Sequence, residues 1–208
     1  DVMGNLAIQG WTYFRDVILL RGIEIVATPF LHTQALWTLV PLLISTFLMQ
    51  IYFGRNKEEE LGWNTAYGNS IALLFISASL LKTLYDTYGY GFWNHPTPEL
   101  TSKLVFLGII ILQAFLLAFL DLFHSLPKRF SFFMSSLPSV FVIALVTIVV
   151  VHSDIPLDRV TLFAALGLFL ASMLFFKIFR WLVPPTKHAR HYLELKQTER
   201  QLKRLEHY

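Results

Sequence analysis

The stretch LVFLGIIILQAFLLAFL, Leu104–Leu120, carries no charge between Lys103 and Asp121. As a helix it reaches about 26 Å, close to the thickness of a bilayer's hydrocarbon core. A helix on a water-soluble domain shows a polar face at helical spacing, and this stretch has only Gln113. It reads as a membrane span. The rest of the chain repeats the pattern. No charged residue occurs from Ile25 to Gly54, from Leu61 to Leu81, or from Ser131 to Val151, and a further apolar run begins at Val160.

The expected fold is therefore an all-α integral membrane protein with five transmembrane helices, at about 35–53, 66–85, 104–124, 133–152 and 160–182 within a membrane domain of 34–183. Residues 1–33 hold Arg15, Asp16, Arg21 and Glu24 within ten positions, too many for a lipid-exposed span. They are expected to form an N-terminal interfacial helix. Residues 184–208 follow Pro184-Pro185 and read as a basic, amphipathic C-terminal helix.

Composition agrees. Of 208 residues, 55% are hydrophobic and 15% charged, against about 25% charged in soluble domains. A five-span bundle leaves no room for a separate catalytic domain of ordinary size. There are no cysteines, which excludes disulfides and thiolate metal sites. No HExxH, GxSxG or glycine-rich phosphate loop is present. An enzyme accordingly ranks behind the other functional readings, and no cofactor is expected.

Lys and Arg set the orientation. The breaks at 54–64 and 127–129 carry Arg55, Lys57, Lys128 and Arg129, whereas the opposite breaks carry Lys103 and Arg159. The tail adds six basic residues after Pro185 against three Glu. These belong on the cytoplasmic side of a cell membrane, with the N-terminus outside.

Several groups have the residue types that chemistry uses. Thr38, Ser45, Gln50, Asn69, Ser77 and Gln113 put polar stripes on the first three spans, where they either line a permeation path or hold helices together. Gln113, Asp121 and His124 fall within an arc of about 80° on a continuous helix. Asp121 and His124, with Lys177 as partner for the carboxylate, form a candidate ionisable site. Glu58-Glu59-Glu60 and the pair His188 and His191 lack the convergent ligands a metal needs, so no metal site is expected. Ala164, Gly167 and Ala171 make a small-residue face on the last span, suited to a close helix neighbour.

Thr87-Tyr88-Gly89-Tyr90-Gly91 resembles the potassium-channel filter TVGYG, differing at one position. A filter needs a pore helix inside the same loop. Here the second span runs almost directly into Thr87, and Phe92 stands where the pattern has Asp. The motif is expected to be dispensable.

Leu195, Leu202 and Leu205 share a seam of alternating four- and three-residue spacing in the tail, a short heptad pattern for assembly. The favoured function is a self-associating membrane protein that forms an ion or small-solute channel. The alternative is a non-transporting scaffold or partner-binding subunit of a larger complex; a membrane-embedded enzyme comes third. Expected partners are the lipid bilayer, anionic headgroups at the tail, further copies of the chain or another protein, and no nucleic acid. A cysteine engineered into the 87–98 loop should react with an impermeant reagent on intact cells, and one at Glu59 only after permeabilisation. The reverse pattern would invert the topology.

Overall fold

The computed structural model describes residues 12–56, 62–89, 91–94 and 97–205. Every regular element among them is helical. Helix α1 opens as a π-helical turn, Phe14–Leu19, and continues as Leu20–Leu31. It is followed by α2 (Thr33–Arg55), α3 (Trp63–Tyr88), the short α4 (Gly91–Asn94) and α5 (Pro98–Leu122). Then come α6 (Lys128–Met134), α7 (Leu137–His152), α8 (Arg159–Leu182) and α9 (Lys187–Leu205). Five helical stretches are long and apolar enough to cross a membrane: α2, α3, α5, the α6–α7 pair and α8.

The sequence dictates where these helices stop. Asp158 caps α8 by accepting from the Thr161 amide at 2.8 Å, and Thr97 caps α5 through the Leu100 amide at 3.2 Å. Pro98 then takes the first turn of α5, where its missing N–H costs nothing. The fourth apolar run breaks in two. Pro138 cannot donate to residue 134 and its ring crowds that carbonyl, so α6 ends at Met134. The chain turns at Ser135 and Ser136, and α7 starts at Leu137 with Ser136 as its cap, rather than running unbroken from 133.

Helix α7 is the axis of the bundle. The α6–α7 stretch is 72% buried over its most apolar part, against 17–33% for the other four. Helices α1, α2, α3 and α8 pack around it, and α5 joins mainly through a long interface with α3. The centre of a single chain is therefore filled by a helix. Outward faces are apolar: on α5, Val105, Ile109, Leu112, Phe115 and Phe119 are all more than half exposed, as a lipid-facing stripe would be. Helix–helix attraction in lipid has no hydrophobic driving force, so packing and polar contacts must hold the helices together.

Helix α1 rests on α7 and α8, burying Gly22, Ile25, Thr28 and Pro29. Its charges pair on the helix itself, Arg15 with Asp16 at 2.6 Å and Arg21 with Glu24 at 3.4 Å. The small residues Ala164, Gly167 and Ala171 of α8 line the groove beneath α1. The neighbour on that face belongs to the same chain.

Two contacts fix the root of α9. The Thr186 amide donates to the Arg55 carbonyl at 2.9 Å. Gly54 lies so close to Val183 that a Cβ there would come within 2.7 Å of the Val183 Cβ. One turn earlier on α2, Gln50 is 1% exposed and neither its amide nitrogen nor its amide oxygen has a partner among the described residues. An unpaired buried amide is costly, whereas an apolar side chain of similar size is not. Gln50→Leu should therefore raise stability by about 1 kcal/mol in thermal denaturation of the detergent-solubilised protein. A loss of stability would mean that Gln50 has a polar partner in the assembled protein.

Candidate functional site

Asp121 is the most deeply buried acid among the described residues, at 1% exposure. It stands one residue from the end of α5, facing α3 and the α6–α7 break. The Ser131 hydroxyl donates to Oδ1. The Ser135 hydroxyl donates to Oδ2 at 3.0 Å, and Ser70 lies 3.3 Å from the same oxygen. Ser70 and Ser135 also touch each other at 2.9 Å, and the Asn69 amide donates to the Ser135 carbonyl at 2.7 Å. Ser131 and Ser135 are one turn apart, joined by a helical hydrogen bond at 2.9 Å, which aims both hydroxyls the same way.

No cation contacts this carboxylate among the described residues. An ionised carboxylate removed from water costs several kcal/mol unless it is paired or well hydrogen-bonded. Here the compensation is three hydroxyls, each hydrogen bond to a charged group worth about 1.5–3 kcal/mol. The positive end of α7 begins one residue beyond Ser135 and favours negative charge on this side. Ser70 lies seven residues into α3, about 10 Å along its axis, and Asp121 one residue from the end of α5, so the node sits at one end of the α3–α5 interface. Such a group can hold a proton or a small cation.

The expected grouping of Asp121 with His124 and Lys177 does not form. Helix α5 ends at Leu122, and His124 adopts φ 52°, the left-handed turn that closes a helix. The Ser125 amide returns to the Leu120 carbonyl at 2.9 Å. His124 is thereby rotated off the Asp121 arc and packs on Trp63, ring centroids 4.5 Å apart. Lys177 is exposed on α8, and no ion pair joins it to Asp121 among the described residues. Asp121 takes serine hydroxyls where an ion pair was expected.

The polar stripes divide. Gln50, Asn69 and Ser77 are buried, Thr38 and Gln113 are half-buried, and Ser45 is exposed. Along α3, Asn69, Ser70 and Ser77 share the inward face with Leu73, Leu80 and Leu84, and the Ser77 hydroxyl has no partner among the described residues. In the filter-like motif, Thr87 and Tyr88 form the last turn of α3 and Gly89 the cap, at φ 53°. Tyr90 lies outside the described residues, as do Glu58-Glu59-Glu60. His188 and His191 are exposed on α9, and no cluster of three metal-ligating side chains occurs among the described residues. Leu195 and Leu202 are 53% and 56% exposed.

At the opposite end of the bundle, a cavity of about 340 Å³ opens between α2, α3, α5 and the end of α7. Lys103 is buried in its wall, paired with Glu99 at 2.7 Å and with Asp154 at 3.6 Å. The sequence reading used Lys103 only for orientation and did not group it with these acids. The four-residue Glu99–Lys103 spacing is a readable helical pair. The Asp154 contact comes from a distant loop and is not.

Comparison with protein-family models, with curated proteins and with solved structures finds no match to this chain.

Ser131→Ala should destabilise the protein by about 1–3 kcal/mol, because it leaves Oδ1 without its donor. Combined with Asp121→Asn, it should cost less than the two single changes added, with a coupling of about 0.5–3 kcal/mol in detergent unfolding. Strict additivity would show that the serine does not serve the carboxylate.

Proposed function

We propose that the protein carries a small cation, a proton or a monovalent metal ion, across a membrane, with Asp121 as the group that binds it. The observation behind this reading is the buried carboxylate that contacts hydroxyls and no cation among the described residues. Ionisable groups at membrane depth are expensive and tend to mark ion or proton pathways. With α7 filling the axis, the route follows the seam of α3, α5 and α7. Polar groups along it run from the cavity near Thr83 and Thr87, past Ser77, to Ser70 and Asp121. Leu73 and Leu80 separate them, so passage requires the seam to open.

In this reading the Asp121 end, with Arg55, Lys128, Arg129 and α9, faces the cytoplasm of a cell and the N-terminus lies outside, supported by the Lys and Arg bias of the breaks and the tail. Copies associate through the spans, helped by the exposed Leu195 and Leu202 on α9, while the basic flank of α9 meets anionic headgroups. Those exposed leucines equally favour the second reading, a scaffold or partner-binding subunit in which the polar stripes only join helices.

Flux through reconstituted vesicles separates the two. Wild-type protein should dissipate a proton, sodium or potassium gradient. Asp121→Asn should lower that flux at least about tenfold while keeping its oligomeric state, since losing the charge removes more than about 1.4 kcal/mol of cation attraction. Vesicles tight to all three gradients would favour the scaffold.

A further inference from the structure

We propose that the cavity at the end opposite Asp121 is a binding site for a small organic cation bearing a primary ammonium group. His32, Thr33 and Gln34 form one side of the cavity, and the polar protons on the facing α3, α5 and α7 sides are already committed. Thr83 donates its hydroxyl to the Ser79 carbonyl at 3.2 Å, and Thr87 donates to the Thr83 carbonyl at 2.8 Å. Both oxygens keep free lone pairs and have no proton left to offer. The Tyr88 hydroxyl points to Glu99 Oε1 at 3.3 Å. His152 Nδ1 lies 2.9 Å from the Ile148 carbonyl, which can only accept, so the proton is on Nδ1. Its Nε2 is then an acceptor, buried and without a partner among the described residues. All five residues line the cavity with Lys103.

Charge points the same way. Among the described residues that line the cavity Lys103 is the one Lys or Arg, and its ammonium is shared by Glu99 and Asp154. Two carboxylates against one ammonium leave a negative charge in excess. Lys82 at the neighbouring end of α3 does not supply the balance, because it is paired with Asp86 on its own helix. The α3, α5 and α7 sides thus offer acceptors and negative charge to a ligand that brings donors and positive charge, while Gln34 and Thr33 across the cavity can donate or accept. Lys103 is itself a primary ammonium seated between these carboxylates. At about 340 Å³ the space is at the small end of ligand pockets and far larger than a bare metal ion needs. Leu84 and Val151 in the wall suit a short carbon chain. This proposal does not rest on the transport reading.

Ethanolamine is the probe, titrated calorimetrically into the full chain in detergent, with ethylene glycol as the neutral counterpart. Saturable binding of ethanolamine alone is expected. Glu99→Gln should weaken it at least about tenfold. Asp154→Asn, at a side chain 90% exposed and so without risk to folding, should weaken it as well. Lys103→Met should tighten it, because both carboxylates are then released to the ligand. An anion site would respond in reverse, losing affinity in Lys103→Met and gaining it in Glu99→Gln, and that pattern would overturn the proposal. So would the absence of saturable heat, or equal binding of ethylene glycol. Asp121→Asn should leave binding unchanged, which keeps this test separate from the flux measurement. Repeating the titration in nanodiscs with and without phosphatidylethanolamine tells apart two sources of the same ammonium. Competition assigns the site to a lipid headgroup, and its absence assigns it to a dissolved amine.

Discussion

A carboxylate without a counter-ion has to be surrounded by hydrogen-bond donors, and in this chain the donors come from three separate segments. Asp121 belongs to α5, Ser70 to α3, and Ser131 and Ser135 to the short helix before α7. Hydrophobic attraction cannot choose one helix arrangement over another in lipid, where every outward surface is equally content. Directional hydrogen bonds to a charge can. The α3–α5 interface is the most extensive in the bundle, and the node lies at one end of it. The break between α6 and α7 belongs to the same constraint: Pro138 stops α6 where Ser131 and Ser135 can both turn toward the acid.

The two ends of the bundle solve the problem of buried charge differently. At one end the carboxylate is met by neutral hydroxyls, and the basic residues nearby remain exposed on the surface. At the other, Lys103 is enclosed and balanced by Glu99 and Asp154, both of which keep contact with water. The first is a closed polar node. The second is an open basin in which charge can be exchanged.

The helices were legible because a span must be apolar throughout, and seventeen uncharged residues in sequence suffice to mark one. Asp121 was legible for the converse reason, as a charge at the end of such a run. Its partners were not. Ser131 and Ser135 are ordinary serines in a stretch that hydropathy absorbs into the fourth span, and only Pro138 hints that the helix there is interrupted. His124 was misplaced because the arc that joined it to Asp121 assumed two further residues of helix. The left-handed turn that ends α5 uses a histidine where glycine is usual, so no local signal marked the stop. The basin at Lys103 was missed because its second acid lies fifty-one positions downstream, on a loop whose sequence says only that it turns.

Gly54 has a consequence for the tail. Its bare α-carbon lets Val183 sit directly against α2, while Thr186 hangs from the Arg55 carbonyl. Helix α9 therefore hinges not on the span that precedes it in sequence but on the far end of the first span. A partner or membrane surface that tilts α9 pulls on α2, and α2 packs along the central α7. The tail is in this sense a lever whose short arm reaches the middle of the bundle, and its fulcrum is a residue with no side chain.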